Sequence, residues 1–264
     1  MFSTPQVVTT DALKKALLST KQNTYLVINN KTKVSRDLTL YVSTEGSDEL
    51  GDGSENRPFA SLQRAIDELG QICYDCTIKI TEGIYNTESC CVNTLGDNLT
   101  ITSYSGNKDV VLTTFSHTYR MLYTLYNRDL DLYVSNIIFR RPTDYATSLI
   151  VKGKNLHLKN VDFETSQNSA VVAFTGGVSS IEDVNVSYIG TQGYNYAGIS
   201  IGYGVVFAKN ISVLTTGNYT PWTGNIVNGI LVKNNVNWKA RNAEDRIFEN
   251  GVVIDRTGSG KITV

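Results

Sequence analysis

The residues whose types and spacing bear on chemistry are few. Asp162 and Glu164 stand two apart, and Glu182 follows roughly one repeat later. Two carboxyl groups about 5–9 Å apart, one of them protonated, are what glycoside hydrolysis requires. On a coiled chain, neighbouring turns or alternate strand positions meet that distance. The same residues also read as partners of cations, because Arg140 precedes Glu164 by one repeat in the same column. A surface ion pair is the simpler account of that column.

Neither histidine adds a base to this set. His117 follows a strand end, and His157 lies between Leu156 and Leu158, which turns it outward in the column of Tyr133 and Phe207. No phosphate loop, nucleophile elbow or metal-ligand triplet is present. Of the four cysteines, Cys73 and Cys76 form a CxxC and Cys90 and Cys91 are adjacent. Adjacent strand residues point to opposite faces, so a tetrahedral site is awkward. The expectation is four reduced thiols packed as small apolar groups, with no metal and no cofactor. Tyr188, Tyr194, Tyr196, Tyr203, Tyr219 and Trp222 fall in or near the connections between the later repeats. Aromatic faces suit sugar rings and subunit contacts alike, and both readings stay open.

The elements that position these groups repeat. The segments LYVSNIIFRR, LHLKNVDFET, SSIEDVNVSY, VVFAKNISVL and RIFENGVVID share a polar anchor followed by alternating apolar positions. The anchors are Asn136, Asn160, Asp183, Asn210 and Asn250, at intervals of 24, 23, 27 and 40 residues. Shorter apolar runs at 121–123, 149–151, 171–173, 199–201 and 230–232 precede them. Two short strands per repeat with no helices between exclude a βαβ sheet and predict a coil that returns above itself. Asn and Asp tolerate left-handed backbone angles, so one per turn makes a corner, and stacked anchors form an amide ladder. Ile137, Phe139, Val161, Phe163, Val184, Val186, Ile211 and Val213 are the predicted core columns. Ser135, Lys159, Glu182 and Lys209 stack outside them, the last three alternating in sign.

The expected fold is therefore all-β: a right-handed parallel β-helix, a single-stranded solenoid, over 38–264. A helix near 59–69 covers its open end, with Leu62, Ala65, Ile66 and Leu69 on one stripe. Residues 1–37 form a separate attachment or oligomerisation segment, with a short helix over 11–18 and a strand in TYLVINN.

Residues 40–69, LYVSTEGSDELGDGSENRPFASLQRAIDEL, resemble the opening signature of pectate-lyase-like parallel β-helix proteins, and TIKITEGIY at 77–85 resembles its companion rung. Such openings occur in bacteriophage tail spikes and tail fibres and in secreted bacterial carbohydrate-active proteins. The start MFSTPQVVTTDALKK lacks a basic region followed by an apolar one, which favours the phage side: folding in a host cytoplasm, then residence in the virion tail. The resemblance implies a homotrimer that recognises a host-surface polysaccharide and joins other tail proteins through 1–37. Polysaccharide depolymerase (hydrolase or lyase) and purely structural adaptor are the alternatives. Ile138, Val252 and Ile254 are outward apolar residues suited to a three-fold contact. A net charge of −1 gives no basic excess for nucleic acid, and no apolar run is long enough to span a membrane.

Overall fold

In the computed structural model the described residues are 25–28, 32–87, 89–114, 121–124, 130–141, 149–151, 155–165, 171–188, 198–215, 222–239 and 244–256. Among them the chain climbs as a right-handed parallel β-helix. Each full turn has three arms. Arm A is short: Cys90–Val92, Leu122–Thr124 and Leu149–Val151 stack in parallel, followed by the first residues of Val172–Tyr188 and Ile199–Thr215. Arm B begins at Thr39–Val42 and continues through Cys76–Ile80 and Asn98–Ser103. It then takes the first half of Asp131–Arg141 and of Leu156–Thr165, and the middle of each longer strand. Arm C runs from Gly83–Asn86 and Val110–Thr113 into the second halves of those strands.

Asparagine and aspartate make the corner between arms B and C. Asn136, Asn160, Asp183, Asn210 and Asn235 have φ of 58, 55, 54, 54 and 51°. These are left-handed angles that cost most other residues about 1–2 kcal/mol. Their side chains stack as expected: Asn160 Nδ2 donates to Asn136 Oδ1 at 2.8 Å, Asn210 to Asp183 at 2.9 Å and Asn235 to Asn210 at 2.8 Å. Among the described residues the last of these corners is Asn235, not Asn250. Val252–Asp255 pairs with Ile230–Lys233, which makes it an arm B strand, and Asn250 stacks on Asn228 ahead of that arm. Residues 230–232 are likewise arm B, while Gly224 to Ile226 take the arm A place above Ile199 to Ile201. The repeat thus has three strands rather than two, because the corner strand bends and serves two faces.

All eight predicted core residues are buried, and Phe139 stacks on Phe163 with centroids 5.1 Å apart. They belong to one continuous apolar core. The helix Leu62–Leu69 adds Leu62, Ala65, Ile66 and Leu69 to that core. Its entry is fixed by Ser61 Oγ, which accepts from Arg64 N–H, and by Asp48 Oδ1, which accepts from the amides of Ala60 and Ser61. The acidic stretch around Asp48 is thus a structural loop, and Gly70, at φ 77°, ends the helix.

Within 1–37, Tyr25–Ile28 pairs antiparallel with Thr32–Arg36, which continues in parallel onto Ile72–Tyr74 and Leu95–Gly96. Parallel stacking therefore already includes residues 32–36. The helix expected over 11–18 lies outside the described residues. No described helix is long and apolar enough to cross a membrane.

Candidate functional site

Two outward columns run up the face of arm B, one rung per residue. The first reads Thr100, Tyr133, His157, Ser180, Phe207, and the second Thr102, Ser135, Lys159, Glu182, Lys209. Strand alternation sets both outward, since the residues between them, Val134, Leu158 and Ile181, fill the core. Between the columns lies a groove of about 340 Å³ lined by Thr100, Tyr133, Ser135, His157, Lys159, Ser180 and Glu182, with the backbone of Val134 and Leu158 beneath.

One wall is aromatic. Tyr133 and His157 stack with centroids 4.4 Å apart and planes 16° from parallel, which registers their rungs. His157 Nδ1 lies 2.8 Å from Ser180 Oγ on the next rung. Burial pushes the imidazole below its ordinary value, and the Asp131 carboxylate on the rung below opposes that shift. Asp131 is held in turn by Asn155 Nδ2 at 3.0 Å. The other wall is charged: Glu182 lies 2.5 Å from Lys209 Nζ and 3.5 Å from Lys159 Nζ. The hydrogen bond from Lys209, then the charge of Lys159, hold the Glu182 carboxyl below its usual range.

Of the three carboxylates with hydrolytic spacing, Glu182 sits apart from the other two. Glu182 is on arm B just before the corner, whereas Asp162 and Glu164 face outward from arm C. Asp162 accepts from Lys108 Nζ at 2.7 Å and from Asn185 Nδ2 at 2.8 Å. Glu164 pairs with Arg140 Nε at 2.6 Å, the ion pair that the column spacing implied. Each carboxylate thus faces a cation.

Of the six aromatic candidates, Tyr203 is 60% exposed. Tyr194, Tyr196 and Tyr219 lie outside the described residues, as do the side chains of Tyr188 and Trp222, and so does His117. The groove itself was not singled out from sequence, although the Tyr133 and His157 column was. The signal available was the pair of small hydroxyl residues, Thr100 and Ser180, that flank two rings in one column. Ile138 faces outward on arm C in a column with Ile84 and Val111, whereas Val252 and Ile254 lie on arm B. These three residues do not share a face.

The four thiols are free, and Cys73, Cys76 and Cys90 are buried. Burial pushes Cys90 up to about 12. Among the described residues no cluster of three or more His, Cys, Asp or Glu is placed to hold a metal ion.

No protein-family model matches the sequence, and no curated protein matches it. Among solved structures the chain is similar to a pectin methylesterase from Aspergillus niger in deglycosylated form. The TM-score is 0.50 at 13% identity, over 84% of this chain and 86% of that one. A second similar structure is a rhamnogalacturonan lyase, with a TM-score of 0.30 at 12% identity, over 86% of this chain and 89% of that one. At 13% identity the first likeness shows the fold.

Proposed function

We propose that this chain is a bacteriophage tail fibre or tail spike component that recognises a host-surface glycan along the arm B groove. The groove carries the recognition half of the reading: an aromatic wall of Tyr133 and His157 faces a polar wall of Ser135, Lys159 and Glu182. A pyranose presents an apolar flank and a rim of hydroxyls, and these two walls offer a contact to each. The groove crosses strands, so its sites repeat at the ~4.8 Å rung spacing, close to the length of one monosaccharide unit. An extended saccharide lying along the shaft meets a fresh set of donors and acceptors at each rung. The tail half rests on the opening motif at 40–69 and its companion at 77–85. In this reading the assembly is a homotrimer, residues 1–37 join it to other tail proteins, and Ile84 and Ile138 on the outer face of arm C supply a subunit contact.

The test is titration calorimetry of the intact chain with host-type surface polysaccharide, alongside Tyr133→Ala. Removing the ring is expected to weaken binding about tenfold or more, since a buried aromatic anchor contributes about 1–2 kcal/mol or above. Affinity unchanged by this substitution, or no binding at all, refutes the groove as the site. Following reducing ends and the ultraviolet absorbance of unsaturated products in the same mixtures separates recognition from depolymerisation. Light scattering that returns a monomer at micromolar concentration counts against the trimer.

A further inference from the structure

The groove holds more than a binding surface requires. Ser180 Oγ and His157 Nδ1 are 2.8 Å apart on adjacent rungs, within reach of direct proton transfer. Tyr133 stacks on the imidazole from the rung below and fixes its plane. Asp131, also one rung below, acts on the ring through its charge and is itself anchored by Asn155. Ser180, His157 and Asp131 therefore descend through three consecutive rungs as hydroxyl, imidazole and carboxylate. The hydroxyl and the imidazole both open into the groove, where Lys159 places an ammonium group. Leu156 and Leu158 already secure the His157 strand in the core, so the bond from the ring nitrogen to the serine above it is not needed to anchor that strand.

We propose that Ser180 and His157 form an acyl-transfer dyad that removes O-acyl groups from esters bound in the groove. Ser180 Oγ attacks the ester carbonyl carbon while its proton passes to His157 Nδ1. The carbon–oxygen bond to the alcohol then breaks, His157 returns the proton to the departing alkoxide, and an acyl-serine remains. Water, deprotonated by the same nitrogen, attacks that acyl group and releases a carboxylic acid and free Ser180. Lys159 supplies the positive charge nearest the carbonyl oxygen as it becomes an oxyanion. Neutral imidazole is the form the base requires, and burial of His157 favours it. Tyr133 and Asp131 are positioning residues. That the natural ester sits on a glycan rests on the reading above; the ester chemistry does not.

The experiment uses the intact chain with p-nitrophenyl acetate and with a fluorophosphonate probe. Labelling is expected at the peptide containing Ser180. Ester hydrolysis is expected to fall about 100-fold or more in Ser180→Ala and in His157→Gln, the scale of a lost nucleophile or general base. Ser212→Ala, on arm C, retains the activity. Thermal melting of each variant establishes that it folds. Asp131→Asn moves the acid limb of the rate profile to lower pH, because the carboxylate raises the His157 value. Tyr133 and Ser180 against the ring, and Lys159 and Glu182 in the same groove, are unchanged in that variant. Absence of fluorophosphonate labelling, or hydrolysis equal in Ser180→Ala and Ser212→Ala, overturns the dyad. Polysaccharide binding without Ser180-dependent hydrolysis overturns the dyad alone. Hydrolysis through Ser180 without polysaccharide binding supports it and overturns the glycan reading instead.

Discussion

Replacing Asn160 separates the two reasons an asparagine stands at the corner of each rung. Its side chain donates one hydrogen bond, to Asn136 Oδ1 at 2.8 Å, and its backbone holds φ at 55°. A hydrogen bond of this kind contributes about 1 kcal/mol net. Alanine at a left-handed φ costs roughly 1 kcal/mol beyond asparagine, which tolerates that region. Asn160→Ala is therefore expected to destabilise the chain by about 2 kcal/mol. Asn160→Gly loses the same bond but meets no Cβ penalty, and the expected loss is about 1 kcal/mol. Asn160→Val adds a β-branched side chain at the same φ and is expected to cost more than about 3 kcal/mol. Urea denaturation followed by far-ultraviolet circular dichroism, with slopes held equal across the series, reads these differences from the midpoints. Alanine and glycine variants of equal stability would show that the corner carries no backbone strain. A neutral glycine variant would show that the ladder bond contributes nothing. Either result refutes the account of the corner.

Further outcomes follow from the same geometry. Phe163→Ala empties a fully buried position stacked on Phe139 and is expected to cost about 3–5 kcal/mol in the same denaturation assay. Gly96→Ala is expected to abolish soluble expression, because a Cβ there would meet the Cys73 carbonyl oxygen at 1.6 Å. Glu182→Gln should lower the melting temperature near neutral pH and leave it unchanged in acid. The lysines depress the Glu182 value, so its contribution is complete above the ordinary carboxylate range and vanishes as pH falls through the lowered value. Molar salt should shrink the same difference. In native protein a thiol reagent should modify Cys91 first, since the other three thiols are buried, and all four only after unfolding.

The coil was legible in the sequence because its signal is local. An anchor, then apolar residues at one and three places beyond it, marks Asn136, Asn160, Asp183 and Asn210 without knowledge of any distant contact. Val236 and Trp238 continue that pattern after Asn235. Two adjacent asparagines, with Asn237 close behind, blur which of them turns the corner, and the Glu249-Asn250-Gly251 turn offered a stronger local cue. The short runs of arm A were legible as one strand of each repeat, whereas the third face was not, because each anchor strand bends at its corner and serves two faces. The ion pairs of Glu182 and Glu164 followed from column spacing alone. The groove did not, since its lining residues come from four rungs and its depth depends on Thr100 and Ser180 being short beside two rings.

The ladder of backbone hydrogen bonds points along the shaft, from each turn to the next. Tension applied to the two ends of the coil therefore loads the turns in series, and extension proceeds by peeling one strand at a time. A sideways load meets the interlocked side chains of the interior, Phe139 on Phe163 among them, and must compress many layers at once. The shaft thus resists sideways compression more than lengthwise extension.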